Sequence, residues 1–133
     1  MFRINPGDKA SRITPITDHM IRTFAEISGD NNPIHLDDEY AAGTRFGRRI
    51  AHGMLAAGLI SATIANDMPG AGTVYLSQSL KFKSPVFPGD AITTTVEVAS
   101  IRPDKPIATL STTCTNQDGV TVLEGEAVVL FSP

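Results

Sequence analysis

The 133-residue chain is poor in cysteine and in charged residues. Its single cysteine, Cys114, excludes an internal disulfide and any metal site made of several cysteines. Only 19% of the residues are charged, the net charge is −3 and no run of Lys or Arg exceeds two, which argues against a nucleic-acid partner. The first residues contain no apolar run of signal-peptide length. We therefore expect a cytoplasmic location.

Apolar residues make up 41% of the chain, which is enough for one hydrophobic core and excludes intrinsic disorder. The length fits a single domain, which we place at residues 1–133. No internal repeat, low-complexity tract or linker divides it.

The first half of the chain has helical spacing. Apolar residues recur every three or four positions in Thr17–Ser28, which predicts an amphipathic helix with Thr17 as its N-cap and Gly29 as its end. Asp37 is placed to cap a second, short helix that runs to Ala42. We expect the chain between them, Asp30–Leu36, to be irregular, because a proline interrupts it.

The segment Ile50–Asn66 contains no charged residue. Its helical part, from Gly53 onward, is apolar on every side, which predicts a core helix that is buried on every side. Such a helix rises only about 21 Å, too little to cross a bilayer core of about 30 Å. We therefore expect no membrane partner.

The second half alternates with a period of two, which is typical of strands. The alternation covers Val74–Lys83 and Ile92–Val98. The pair Asp118–Gly119 predicts a hairpin between Ile107–Asn116 and Val120–Phe131.

Together these elements predict an α+β fold in which an antiparallel sheet wraps around the core helix. Gly125 and Ala127 leave space on the last strand, where we expect that helix to pack closely. Such a small sheet leaves an edge strand that can pair with a second copy. We therefore expect a homodimer with a continuous sheet.

The loop Gly29–His35 brings a carboxylate, an amide and an imidazole together. Asp30 and His35 have the chemistry that proton transfer requires, since one group can accept a proton while the other donates one. The same residues also suit a turn after a helix, with His35 as an ordinary surface residue. The residues alone leave both interpretations open.

Metal binding is a third interpretation of this loop. Oxygen ligands for calcium are offered by four side chains, Asp30, Asn32, Asp37 and Asp38. The proline at position 33 and the lack of a turn glycine argue against a helix–loop–helix calcium site. Zinc is not expected either, because the chain has no adjacent set of ligands and only three histidines, His19, His35 and His52. We therefore expect no metal.

A second group of residues, Ala51–Met54, stands at the start of the core helix. The amides of a helix N-terminus are unpaired and positively polarised, and Gly53 would let a substrate approach them, which suits an oxyanion. Gly53 also fits as a small residue for packing against the sheet, and we interpret His52 as structural. Ser61 either bonds back to a helix carbonyl or points into a pocket.

These motifs, in this order and spacing, resemble the MaoC-like hydratases. The resemblance rests on Gly29–His35, Ala51–Met54, Leu80–Val86 and Gly89–Asp90, and it covers nearly the whole chain. The short single-domain form is similar to the (R)-specific enoyl-CoA hydratases. Membership implies the hot dog fold, a curled antiparallel β-sheet wrapped around a long central α-helix, usually in a homodimer.

The resemblance implies a hydro-lyase that adds water reversibly to a trans-2-enoyl-CoA and forms an (R)-3-hydroxyacyl-CoA. Asp30 and His35 match the family's catalytic pair, which would hold one water. Asn32 matches the amide between them, Gly53 matches the residue whose backbone amide holds the thioester oxygen, and we expect both at the thioester. Ser61 falls where the family often has a serine in the pocket. No cofactor would be needed besides the coenzyme A of the substrate.

The acyl chain is expected to follow the apolar core helix. Ala57 and Ser61 lie one turn apart on one face and should line its path. The path would lead toward Asp67–Ser77, where Met68–Gly72 suggests a flexible overhang.

Other functions fit the same fold. A dehydratase for a thioester of another carrier would use the same residues. A hot dog thioesterase commonly has a carboxylate on or beside the central helix, and Gly53–Asn66 has none. A noncatalytic acyl-CoA-binding module would lose Asp30 or His35, and this chain has both.

Polyhydroxyalkanoate supply and fatty acid breakdown both fit the reaction. Five cations are candidates for contacts with the phosphates of coenzyme A, namely Arg45, Arg48, Arg49, Lys81 and Lys83.

Overall fold

The computed structural model of the protein describes residues 2–133. Its elements in chain order are β1 (Lys9–Pro15), α1 (Asp18–Ser28), α2 (Pro33–Leu36), α3 (Asp38–Ala42), α4 (Gly53–Asn66), β2 (Val74–Gln78), β3 (Lys81–Phe82), β4 (Ala91–Ile101), β5 (Ile107–Thr115) and β6 (Thr121–Leu130). The strands form one antiparallel sheet in the order β1-β4-β5-β6-β2, and β3 pairs with β6 on the same side as β2. α4 packs across this sheet against β1, β4, β5 and β6.

The ends of α1 and α3 lie where the sequence predicts them. Thr17 Oγ1 accepts the N–H of Met20 over 3.1 Å, and Gly29 closes α1 in the left-handed conformation, with φ of 79°. Asp37 caps α3 through the N–H of Tyr40.

The irregular loop predicted after α1 contains the short helix α2, which corrects that prediction. Pro33 occupies its first turn, where the missing N–H has no helical partner to lose. Asn32 Oδ1 caps the helix by accepting the N–H of Ile34 over 3.1 Å. A proline that interrupts the preceding chain therefore starts a new helix.

β5 and β6 form the predicted hairpin. Gly119 has a φ of 75° in the turn, a conformation that favours glycine. The inward face of β6 is buried as its alternation predicts, with exposures of at most 2% for Leu123, Ala127, Val129 and Phe131. These side chains belong to the hydrophobic core that the sheet shares with α4.

α4 is buried on one face only. Four of its residues, Ala56, Ile60, Thr63 and Ile64, are at most 4% exposed. Met54, in contrast, is 55% exposed. The prediction of a helix buried on every side is therefore wrong for the single chain, because one sheet covers one side of a helix. Among residues 2–133, none of the helices is both long and apolar enough to span a membrane.

The predicted strand Val74–Lys83 is interrupted where the chain crosses β6. β2 and β3 both pair with β6, and the backbone between them lies against Gly125. A Cβ on Gly125 would be 1.8 Å from the carbonyl oxygen of Ser79. Gly125 therefore makes room for a neighbouring backbone and not for the helix, which corrects the earlier expectation.

The first residues of the predicted overhang, Met68–Gly72, are anchored to the end of α4. Met68 is 7% exposed and belongs to the core, and the next two residues are buried as well. The N–H groups of Met68 and Gly70 donate to the carbonyls of Thr63 and Ile64 over 3.0 and 2.9 Å. The chain thus folds back on the end of the helix.

The edge of the sheet at β2 and β3 is apolar and exposed. Val74 and Leu76 are each 53% exposed, and Phe82 is 56% exposed. Of the predicted apolar face, Leu80 packs against the core. An exposed apolar edge of this kind is typical of a surface that binds a partner.

Candidate active site

Asp30 lies in the turn that follows α1. Its N–H donates to Ser28 Oγ over 3.1 Å, and its Oδ1 accepts the N–H of Asn32 over 3.2 Å. These bonds hold the carboxylate close to the backbone, although the residue is exposed. The side-chain oxygen of Asn32 is used to cap α2, and Asn32 is not part of the cavity lining described below. The structure thus gives Asn32 a capping role, and its contact with a thioester stays a prediction.

His35 is held by the segment that precedes α4. The residue is 8% exposed, and its Nδ1 donates to the carbonyl of Ile50 over 2.8 Å. Because Nδ1 carries the hydrogen in this bond, Nε2 of the neutral ring carries the lone pair. The N–H of Ile50 donates in return to the carbonyl of Ile34 over 3.2 Å. His35 is therefore a buried ring in a fixed orientation, with Nε2 as its acceptor atom, and not a surface residue.

Arg49 ties three elements together behind the site. Its guanidinium pairs with Asp18 of α1 and with Asp38 of α3, the latter over 2.7 Å. The same group donates to the backbone carbonyl of His35 over 3.2 Å. Its charge is therefore used inside the fold, which argues against Arg49 as one of the candidate cations for coenzyme A. Asp18 and Asp38 lie too far from Arg49 in the sequence for the spacing of opposite charges to assign this role.

His52 belongs to the site, which corrects its interpretation as merely structural. Asp30, His35 and His52 each bring a carboxylate oxygen or a ring nitrogen to within 4.8 Å of the other two. The ring of His52 stacks on that of His35, with centroids 3.8 Å apart. Its Nε2 donates to the backbone carbonyl of Asp30 over 3.1 Å. Its position next to Gly53, within the same motif, was the signal in the sequence.

This cluster suits proton transfer better than metal binding. The two rings lie 26° from parallel in a stack, so their in-plane lone pairs do not converge on one point, as a zinc ion requires. Two of the side chains considered as calcium ligands have other partners, because Asp37 caps α3 and Asp38 pairs with Arg49. The carboxylate and imidazole that remain, Asp30 and His35, are an acid–base pair.

Gly53 begins α4 beside this pair. The first amides of a helix have no carbonyl partner within the helix, and His52 provides no side-chain cap. Gly53 is exposed, and a Cβ there would lie 2.6 Å from the ring of Phe82. The missing side chain therefore leaves the N-terminal amides open on one side and makes room for Phe82 on the other.

One cavity, which we call the first cavity, collects these groups. It has a volume of about 520 Å³, and Asp30, His35, His52 and Gly53 line it. Apolar side chains complete its wall: Met54 of α4, Phe82 and Val86 from the segment after β2, and Leu123 of β6. The cavity thus combines an acid–base pair, a helix N-terminus and an apolar wall, as the site of a small acyl group requires.

Ala57 and Ser61 line a second cavity, also of about 520 Å³, with Tyr75 and Leu76 of β2. Of the two alternatives for Ser61, a bond back to a helix carbonyl or a place in a pocket, the structure supports the pocket. In the single chain, the path expected for the acyl chain is therefore divided between two cavities. Met54 lines both and stands between them.

The remaining candidate cations differ in their surroundings. Arg45 and Lys83 line the first cavity. Arg48 instead lies over the ring of Phe87, with its guanidinium carbon 3.9 Å from the centroid. Lys81 is exposed on β3 and lines neither cavity. Lys83 also lies 3.7 Å from a carboxylate oxygen of Glu124, so Arg45 is the better placed of the two for an anionic group at this cavity.

Comparison with known families accounts for this combination. Residues 4–118 match the family model described as a MaoC like domain. The chain belongs to the MaoC-like family. The loop motif and the helix motif of this family line one cavity, joined by the bonds from His35 to Ile50 and from His52 to Asp30.

Two MaoC-like relatives are similar over most of their length. The (R)-specific enoyl-CoA hydratase of Rhodospirillum rubrum is 48% identical over 127 residues, which cover 96% of this chain and 88% of the relative. The (R)-specific enoyl-CoA hydratase of Aeromonas caviae is 52% identical over 109 residues, 82% of this chain and 81% of the relative.

The solved structure of the (R)-hydratase from A. caviae involved in PHA biosynthesis superposes with a TM-score of 0.95. The two chains are 46% identical, and the match covers 98% of each. The hot dog fold expected from the motifs, a curled antiparallel sheet around a central helix, is thereby confirmed for this MaoC-like protein.

Proposed function

We propose that this MaoC-like protein is an (R)-specific enoyl-CoA hydratase, which adds water to a trans-2-enoyl-CoA and forms an (R)-3-hydroxyacyl-CoA. The observation that carries the proposal is the placement of Asp30, His35 and the N-terminus of α4 in one cavity. Hydration of an enoyl thioester needs a proton-transfer group at the double bond and a donor at the thioester oxygen. The names of the R. rubrum and A. caviae relatives support the substrate and the stereochemistry.

His35 is the proton acceptor in this mechanism. Burial lowers its pKa most, and His52 lowers it further, while the hydrogen bond to Ile50 and the charge of Asp30 raise it. Because the net shift is downward from 6.5, the ring is neutral at neutral pH with a lone pair on Nε2. Nε2 takes a proton from the water whose oxygen attacks C3 of the substrate. The imidazolium then returns that proton to C2, so both parts of the water enter the product.

Asp30 orients the water and stabilises the imidazolium by its charge. Its carboxylate is held in the turn by the N–H of Asn32, so it can accept the second hydrogen of the water without reorganising. The reverse assignment, with Asp30 as acceptor and His35 as donor to C2, is the alternative, since the two groups act as a coupled pair.

The amide of Gly53 is the donor for the thioester oxygen. Charge develops on that oxygen when water adds to C3, and an unpaired amide at the positive end of α4 stabilises it. The absence of a side chain at Gly53 lets the oxygen approach the amide. The proton transfers and this polarisation are sufficient for the reaction, so we propose that it uses no cofactor and no metal.

Coenzyme A and the acyl chain lie on different sides of this centre. Arg45 and Lys83, at the first cavity, are placed to meet phosphate groups of coenzyme A. The acyl chain extends past Met54 toward Ala57 and Ser61 in the second cavity. Met54 has a flexible side chain that can yield to such a chain.

A homodimer is part of the proposal. The outer face of α4 at Met54 and the edge of the sheet at Val74 and Leu76 are apolar and more than half exposed. A second copy that pairs along β2 would cover both. We expect light scattering to give twice the chain mass, and Leu76→Glu to shift the protein toward the monomer. A stable wild-type monomer at micromolar concentration would contradict this arrangement.

A cytoplasmic location is a further part of the proposal. It is supported by the single thiol, Cys114, which is fully buried and whose pKa is raised by that burial. A protein with one unreactive thiol gains nothing from an oxidising compartment.

The test is the hydration of crotonyl-CoA, followed by the loss of absorbance of its conjugated double bond and by chiral analysis of the product. We expect the (R) isomer. Asp30→Asn and His35→Ala should each lower kcat by about 100- to 10,000-fold in a protein that still folds. His35→Ala should also lower the Tm, because it removes a buried ring and leaves the Ile50 carbonyl without its donor. A larger loss for His35→Ala supports His35 as the acceptor, and the opposite order assigns that role to Asp30. Asp104→Asn, which changes an exposed acid outside the cavities, is the control.

The same assay separates the alternative functions. A thioesterase would release free coenzyme A thiol and would form no hydroxyacyl product. A binding module would retain the substrate unchanged. Either result for the wild-type protein would contradict the hydratase assignment.

A further inference from the structure

His52 contacts both members of the acid–base pair. Its ring stacks on the ring of His35, with centroids 3.8 Å apart, and its Nε2 donates to the backbone carbonyl of Asp30 over 3.1 Å. The next residue is Gly53, the first of α4. One side chain thus connects the pair to the helix N-terminus.

Packing alone does not account for a histidine at this position. His52 is 2% exposed, and its Nδ1 has no hydrogen-bond partner in the part of the chain that the structure describes. A buried polar atom without a partner lowers stability, and a phenylalanine ring would fill the same space without that cost. The ring of Phe24, 4.8 Å away, offers an apolar neighbour for such a replacement. The donor to the Asp30 carbonyl is the property that histidine adds and phenylalanine lacks.

We propose that His52 is a positioning residue for the hydration reaction, which sets the separation of Asp30 and His35 and their distance from the Gly53 amide. The proposal rests on the hydratase function. The hydrogen bond to the Asp30 carbonyl fixes the turn that carries the carboxylate, and the stack fixes the plane of the imidazole. A displacement of about 1 Å costs about 100-fold in rate, so the loss of either contact should lower kcat.

Three substitutions separate the two contacts. His52→Phe keeps a ring for the stack and loses the donor. His52→Gln places its amide nitrogen near the position of Nε2, so it keeps a donor and loses the ring. His52→Asn reaches only as far as Nδ1 and is the matched control for His52→Gln. Thr63→Val, a buried change farther along α4 that removes a bond to the carbonyl of Leu59, controls for disturbance of the helix.

We expect His52→Phe to lower kcat by about 10- to 100-fold and to keep or raise the Tm, because the unpaired Nδ1 is gone. KM should change little, since the contacts to coenzyme A and to the acyl chain lie elsewhere. His52→Gln should recover part of the kcat that His52→Asn loses. Thr63→Val should keep the wild-type kcat.

A second readout does not depend on catalysis. Asp30, His52, Arg45 and Lys83 line the same cavity as His35. Arg49, which pairs with Asp18 and Asp38, donates to the backbone carbonyl of His35. Of these, His52 lowers the pKa of His35. In His52→Phe, which keeps the burial, NMR titration should therefore give His35 a higher pKa. The acid limb of kcat/KM should move to higher pH by the same amount.

The outcomes separate the two proposals. Folded His52→Phe and His52→Asn variants with wild-type kcat and an unchanged His35 titration would overturn the positioning role. So would a fall in kcat that follows a fall in Tm without any change in that titration. If the wild type hydrates no enoyl-CoA while the His35 titration still responds to His52→Phe, the hydratase function fails and the contact between the two rings stands.

Discussion

The substitution Gly125→Ala tests the crossing of two backbones that shapes the wall of the first cavity. Gly125 lies on β6 where the chain between β2 and β3 passes, and a Cβ there would be 1.8 Å from the Ser79 carbonyl oxygen. The contact is with backbone, so no side-chain rotation relieves it. The crossing strand must move away, and it carries Phe82 and Lys83 into the cavity wall.

The cost follows from what this movement breaks. Ser79 and Glu126 exchange two hydrogen bonds, Ser79 N–H to the Glu126 carbonyl over 2.8 Å and Glu126 N–H to Ser79 Oγ over 2.9 Å. Each bond contributes about 1 kcal/mol, and overpacking adds about 2 kcal/mol, which together give about 4 kcal/mol. At about 4 °C per kcal/mol for a chain of this length, the Tm should fall by about 15 °C.

Thermal unfolding followed by circular dichroism measures this effect at one fixed protein concentration, because association also shifts the Tm. Gly58→Ala is the matched control, since a Cβ on Gly58 of α4 meets no atom within 4 Å. That change should instead raise stability by about 0.5–1 kcal/mol, the usual gain for alanine over glycine in a helix. A Gly125→Ala protein that melts within about 3 °C of the wild type would refute the reasoning.

Three further predictions concern the site. Because burial lowers the pKa of His35 below 6.5, kcat/KM should stay high down to a lower pH than a free histidine allows and then fall as His35 is protonated. The stability that the neutral ring contributes is present above pH 6.5 and is lost as the pH falls through the same lowered pKa. An acid limb of kcat/KM above pH 6.5 would contradict this. Ala57→Leu and Ser61→Leu should lower kcat/KM for eight-carbon substrates more than for crotonyl-CoA, and an unchanged ratio in the folded variants would place the acyl chain outside the second cavity. Arg45→Glu should raise KM for crotonyl-CoA but not for crotonyl-pantetheine, which lacks the nucleotide phosphates, and an equal effect on both substrates would remove Arg45 from the coenzyme A site.

Neighbouring residues were sufficient to predict the ends of several elements. Thr17 and Gly29 bound α1, Asp37 caps α3, and Gly119 forms the turn between β5 and β6. Each depends on hydrogen bonds or backbone angles within a few positions, which the local sequence specifies. The loop motif and the helix motif likewise indicated Asp30, His35 and Gly53, and the structure places the three in one cavity.

Residues that act across longer distances could not be assigned in this way. The bond from His52 to Asp30 spans 22 positions, and that from Arg49 to Asp18 spans 31. Whether a histidine or an arginine meets such a partner depends on how the helices are arranged, and local spacing contains no information on it. For this reason His52 was interpreted as structural, and Arg49 was only one of five candidates for a phosphate contact.

Apolar composition identifies the segments that avoid water, whereas the surface that covers each segment depends on how the whole chain packs. The apolar composition of α4 predicts burial, yet the sheet covers one face and leaves Met54 exposed. Gly125 is recognisable as a small residue, yet only the fold shows that the backbone of Ser79 needs the space. The physical reason is that hydrophobic burial depends on the area removed from water and not on the identity of the covering surface.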